Sequence, residues 1–129
     1  MGHIGEQSIL ICDNEELICW ALKEHLRGLG YTVDSVGSSA DCIARLEAQP
    51  PDLLILDPVM PGVCGLHVLD RLKTLQAPVQ TLVLSAHTNK HTTVQSALRL
   101  GADRYQRKPF MMADITASVA HLLSGPCPR

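Results

Sequence analysis

The chain has few aromatic residues: one tryptophan, two tyrosines and one phenylalanine in 129, or 3%. A core without rings must be aliphatic, and a hydrophobic share of 46% supplies the material. No apolar stretch approaches the ~20 residues of a membrane-spanning helix. The first residues lack the basic-then-apolar pattern of a secretory leader, so a cytoplasmic setting is expected. Positive charge is scattered, with no basic run longer than Gln106-Arg107-Lys108, and the formal net charge is −2. The clustered cationic footprint of a nucleic-acid surface is therefore missing. Five cysteines make an odd count without a CxxC pair. Reduced thiols packed as small hydrophobes are expected rather than a disulfide framework. A glycine-rich GxxxxGK[ST] nucleotide loop is absent too.

What is present alternates between short apolar runs and segments of helical period. Ser8–Cys12 is a strand, and Ile18, Leu22, Leu26 and Leu29 then line one helical face, with Gly30 as the stop. Tyr31–Ser35 is a second strand. Ser39 is placed to cap a helix through Ile43, Leu46 and Glu47, ending before Pro50-Pro51. Leu53–Leu56 is unbroken apolar sequence, as in a strand covered on both faces, and runs into Asp57. Leu66, Leu69, Leu72 and Leu75 predict a third helix, and Val79–Leu84 a fourth strand ending at Ser85. Val94, Ala97 and Leu98 predict a fourth helix stopped by Gly101. Asp103–Arg107 reads as a fifth strand, and Ile115, Val119 and Leu122 as a fifth helix. These alternations predict one α/β domain, a doubly wound five-stranded parallel sheet with helices on both faces. It is expected over 8–123, after a disordered lead over 1–7 and before a disordered tail or artificial end over 124–129.

In open parallel sheets ligands collect at the carboxyl ends of the strands. Those ends carry Asp13-Asn14, Asp57, Ser85 and Lys108. Two carboxylates, an amide, a hydroxyl and an ammonium from four separate segments suit transfer of a phosphoryl group to a carboxylate. Asp57 is the candidate nucleophile, forming an acyl phosphate. A hard divalent cation, Mg²⁺ above all, would offset the charge that repels an incoming phosphoryl group. Asp13, Asn14, Asp57 and the Val59 main-chain carbonyl are its candidate ligands. Ser85 and Lys108 are placed to bond the phosphoryl oxygens.

The segments Ile-Leu-Ile-Cys-Asp-Asn-Glu, Leu-Leu-Ile-Leu-Asp57-Pro-Val-Met-Pro-Gly, Leu-Val-Leu-Ser85-Ala-His and Tyr105-Gln-Arg-Lys108-Pro-Phe resemble the receiver domains of two-component response regulators. They are most similar to those of nitrogen-regulation-type, enhancer-binding regulators, over about Ser8 to Leu123. The resemblance implies the flavodoxin-like strand order 2-1-3-4-5. It implies a sensor histidine kinase as partner, with a homodimer through the fourth and fifth helices to weigh beside it. It further favours transcription regulation by a module outside this segment over a stand-alone regulator, in a signalling domain and not an enzyme proper. Ser85, Ala86, Lys108 and Tyr105 fall on the phosphoryl-binding and switch positions, with Ser85 and Tyr105 reorienting once Asp57 is phosphorylated. The Lys108–Pro109 bond matches one that is cis in the family.

Three departures stand out. Asn14 occupies a position where the family usually has a second acidic residue, so one negative charge is missing. Two charges ~4 Å apart at an effective dielectric near 20 interact by about 4 kcal/mol before screening. Weaker metal binding is thus expected, and the rival reading is a pseudo-receiver that works by protein interaction without efficient phosphorylation. Cys64 stands where an acidic residue is common, and Cys12 is a small residue in a strand interior; Ser85 in place of the commoner threonine keeps the hydroxyl. Plainer readings exist for single residues. Asp13 can cap the first helix, Glu15 and Glu16 suit its dipole whatever the function, and Tyr105 and Trp20 can be packing. His87 with His91, and Cys64 with His67, lack a third ligand for zinc.

Overall fold

The structure is a computed structural model that describes residues 7–58, 65–75, 78–85 and 101–124. Its strands are β1 (Ser8–Cys12), β2 (Thr32–Val36), β3 (Leu53–Leu56), β4 (Gln80–Ser85) and β5 (Arg104–Arg107). Its helices are α1 (Glu16–Gly28), α2 (Ser39–Ala48), α3 (Gly65–Leu75) and α4 (Met112–Ser124). The strands form one parallel sheet in the order β2-β1-β3-β4-β5, as expected.

Strand side chains alternate between the two faces. Leu10, Cys12, Leu54, Leu56 and Val83 pack with Cys42 and Leu46 of α2 and with Val68, Leu69 and Leu72 of α3. Ile9, Ile11, Leu53, Ile55, Leu82 and Leu84 pack with Cys19, Leu22 and Leu26 of α1 and with Ile115 and Val119 of α4. All four residues of β3 are buried, because both faces of this central strand are covered. Each buried Leu or Ile contributes roughly 1.5–3 kcal/mol, so the aliphatic core needs no rings.

Three local expectations are corrected. Leu29 does not lie on the buried face of α1: the helix ends at Gly28, Leu29 is its C-cap, and the residue is 51% exposed. The chain turns there into Gly30 at φ 105°, a left-handed conformation that suits glycine, and the Gly30 amide donates to the Arg27 carbonyl at 3.0 Å. The cap of α2 is Ser38, not Ser39. Ser38 is extended and its hydroxyl accepts from the Asp41 amide at 3.1 Å, whereas Ser39 is already helical and buried. The second strand starts and ends one residue later than Tyr31–Ser35, because Tyr31 is still closing the turn by donating its amide to Leu26.

Of the lead expected over 1–7, Gln7 is described, and its side-chain amide donates to the Leu123 carbonyl at 3.0 Å. The helix expected around Val94, Ala97 and Leu98 lies outside the described residues. No helix among the described residues is long and apolar enough to cross a membrane.

Candidate functional site

Because the strands are parallel, their carboxyl ends share one rim. Asp13 follows β1, Asp57 follows β3, Ser85 ends β4 and Lys108 follows β5. The ladders extend a residue past the strands: the Asp57 amide donates to the Cys12 carbonyl and the Lys108 amide to the Ser85 carbonyl, each at 2.9 Å. That fixes where the two functional side chains start.

Lys108 reaches across the rim and spends all three of its ammonium protons there. Its Nζ donates to Asp13 Oδ2 at 2.8 Å, to Asp57 Oδ2 at 2.8 Å and to Glu15 Oε1 at 2.6 Å. The side chains of Lys108, Asp13 and Asp57 are 6%, 2% and 9% exposed, while that of Glu15 is 55% exposed. Burial alone would drive Lys108 toward neutrality, but the bonds to Asp13, Asp57 and Glu15 outweigh it and hold the ammonium's pKa above 10.5. Burial raises the Asp13 carboxyl above 3.8, and the bonds from Lys108 and the Glu15 amide recover part of that cost. Three carboxylates thus share one firmly protonated ammonium.

Sequence reasoning missed Glu15 as a member of this group. It occupies the N-cap of α1, yet its side chain makes no capping bond. The local turn is closed instead by Asp13, whose Oδ1 accepts from the Glu15 amide at 2.9 Å. The Glu15 carboxylate is left to reach Lys108. The one available signal was its place two residues after Asp13, which is equally explained by the helix dipole. One oxygen from each of Asp13, Glu15 and Asp57 falls within 4.8 Å of the others. Hard carboxylate oxygens at that spacing fit a divalent cation such as Mg²⁺. Asn14 is exposed beside them, on a cleft of about 490 Å³ that Asp13, Trp20, Lys23 and Gly37 also line.

Ser85 is fully buried at the end of β4. Tyr105 is half-buried on β5 against the Leu54–Leu56 layer, and its hydroxyl is buried without a hydrogen-bond partner among the described residues. The Lys108–Pro109 bond is cis, as the resemblance implied. Cys12, Cys19 and Cys42 are buried, and Cys19 Sγ donates to the Asp13 carbonyl at 3.1 Å. Val59, Ala86, Cys64, His87 and His91 lie outside the described residues.

An open, doubly wound α/β domain with an oxygen-rich acidic cluster and a lysine at its carboxyl rim defines the class. Residues 9–120 match the family model of the response regulator receiver domain, and the chain belongs to that family. Over 117 residues it is 32% identical to the alkaline phosphatase synthesis transcriptional regulatory protein PhoP of Bacillus subtilis, covering 91% of this chain and 48% of that protein. It is 40% identical over 110 residues to the transcriptional regulatory protein KdpE of Mycobacterium tuberculosis, covering 84% of this chain and 47% of that one. The DNA-binding transcriptional regulator NtrC of Escherichia coli is 30% identical over 116 residues, 90% of this chain and 24% of NtrC. The expected leaning toward nitrogen-regulation-type regulators is thus met only in part, since KdpE shares more of its residues. The chain spans at most about half the length of these relatives. The structure of the response regulator TrrA of Thermotoga maritima, in complex with Mg²⁺-BeF, superposes with a TM-score of 0.80 at 28% identity, covering 90% of this chain and 98% of that one.

Proposed function

We propose that this receiver domain accepts a phosphoryl group on Asp57 from a sensor histidine kinase. The observation that carries the reading is the Lys108 ammonium bonded to Asp57 and Asp13 in a buried rim cluster. An Asp57 carboxylate oxygen attacks phosphorus of the donor phosphohistidine as the P–N bond breaks. The imidazole nitrogen keeps the electron pair and takes a proton from solvent, and an acyl phosphate remains on Asp57. Lys108 keeps its charge throughout and pairs with a phosphoryl oxygen, while Ser85 donates to another. Bound Mg²⁺ supplies charge neutralisation and orients the phosphoryl oxygens. Asp13 and Asp57 would hold it, with Glu15 beside them and Asn14 and the Val59 carbonyl as the other ligands read from the sequence. The Mg²⁺-BeF complex of the related TrrA supports that choice of ion.

Phosphorylation shifts a pre-existing equilibrium by adding contacts at Ser85, Ala86 and Lys108, and Tyr105 reports it. The buried Tyr105 hydroxyl, lacking a partner among the described residues, supports a side chain ready to change position. The domain works in the cytoplasm. Its output is transcription, through a further module such as the named transcriptional relatives suggest. A homodimer through α4 and the helix expected before it belongs to the same reading.

Intact-mass spectrometry after incubation with a small phosphodonor tests the chemistry. The native chain gains one phosphoryl group only with Mg²⁺, and Asp57→Asn gains none. No adduct on the native chain at high Mg²⁺ would move the reading to a pseudo-receiver.

A further inference from the structure

We infer that Glu15 supplies the negative charge that Asn14 lacks, so that in this chain divalent-cation affinity depends on position 15 rather than position 14. The inference rests on the phosphoacceptor reading and concerns the same cluster.

Among the described residues, three carboxylates against one ammonium leave the cluster with a formal charge of −2, which one divalent cation neutralises. Without Glu15 the excess falls to −1, and the attraction for a dication falls with it. Position 14 cannot restore it, because Asn14 carries no charge. The geometry around Glu15 is consistent with that task. An N-cap residue normally spends its side-chain oxygen on the helix amides, and Ser, Thr, Asp or Asn serve best there. Glu15 spends nothing on the helix: Asp13 closes the turn in its place, and the longer Glu15 side chain arcs back over the rim to Lys108. Its carboxylate oxygen falls within 4.8 Å of one from Asp13 and one from Asp57. At 55% exposure Glu15 is also the one acid of the three open to solvent, where a hydrated cation arrives. The acid absent from position 14 is matched by one at position 15. It stands on the helix cap.

The test is a Mg²⁺ titration of four chains: native, Glu15→Gln, Asn14→Asp, and Asn14→Asp combined with Glu15→Gln. Trp20, the one tryptophan, lines the cleft beside Asp13 and Asn14, so its fluorescence reports binding. Mn²⁺ binding followed by electron paramagnetic resonance gives a second readout free of that probe. Glu15→Gln is expected to weaken binding about tenfold, an exposed charge being partly screened, and the double variant to recover it. Circular dichroism should stay native, since Glu15 is exposed and makes no cap bond. If Glu15→Gln binds as the native chain does, the inference fails while the phosphoacceptor reading stands. A weakened Glu15→Gln that Asn14→Asp does not rescue overturns the exchange of roles between the two positions. A native chain that binds neither ion defeats both the inference and the reading beneath it.

Discussion

The two rims of the sheet both carry aspartates just outside the strands, and they treat them in opposite ways. At the amino rim Asp52 precedes β3, and its Oδ2 accepts from the Ser8 amide at 2.8 Å. Asp103 precedes β5, and its Oδ2 accepts from the Thr81 amide at 2.8 Å. Each is exposed, and each clamps the start of a neighbouring strand with a neutral main-chain donor. At the carboxyl rim Asp13 and Asp57 are buried and share a single ammonium with Glu15. A carboxylate that only holds the fold is content with a backbone amide and water. Carboxylates crowded around too few positive charges are held ready for a further cation.

The largest break between the rims should come from removing the shared cation. Lys108→Met leaves three carboxylates facing one another, two of them buried. Taking one partner from a buried ion pair costs about 3–5 kcal/mol, read as a lower urea midpoint. Added Mg²⁺ should raise that midpoint more in the variant than in the native chain, because the ion replaces the lost charge. The pH dependence has a definite sign. Lys108 has its folded pKa above 10.5, so its stabilisation is complete below that pH and is lost as pH rises beyond it. Lys108→Met should remove this alkaline decline.

Asp13 behaves unlike an ordinary paired acid. Its folded pKa lies above 3.8, so the folded chain holds the proton more tightly and stability falls as pH rises from about that value. Asp13→Asn should flatten that part of an acid-range stability curve. A slope unchanged by the substitution would mean that another group is responsible.

At the amino rim the effects shrink. Asp52→Ala and Asp103→Ala each remove a bond from a main-chain amide to an exposed carboxylate. The expected cost is about 1 kcal/mol in urea denaturation, discounted for solvent. Phosphoryl uptake and Mg²⁺ affinity should not move. A loss of either function in Asp52→Ala would show that the two rims are coupled through β3.

Most of the fold was legible because two periods coincide with burial: alternating side chains fill both sheet faces, and helical spacing fills the covering layers. Legibility failed at ends. Leu29 continued the helical spacing past the residue where the helix stops, and Ser38 and Ser39 offer the same hydroxyl to a cap, so neighbouring sequence could not choose between them. The rim cluster of Asp13, Asp57 and Lys108 followed from strand ends alone. Glu15 did not, because whether an acid at a helix start serves the helix or reaches away from it depends on a side-chain path that no spacing encodes.

The smallest predicted effect is the most pointed. Asp57 is buried and bonded to Lys108, so on burial alone its replacement should cost as much as any core change. Asp57→Asn keeps an acceptor oxygen for Lys108, whose ammonium retains Asp13 and Glu15. It also removes the repulsion of one carboxylate by two others, so gain and loss offset each other. The expected change in unfolding free energy is within about 0.5 kcal/mol of zero, smaller than that for exposed Asp52, although phosphoryl uptake is abolished. A clear loss of stability in Asp57→Asn would make Asp57 a structural acid like Asp52 and erase the difference between the rims. A small gain would mean that the negative charge is kept at the expense of the fold.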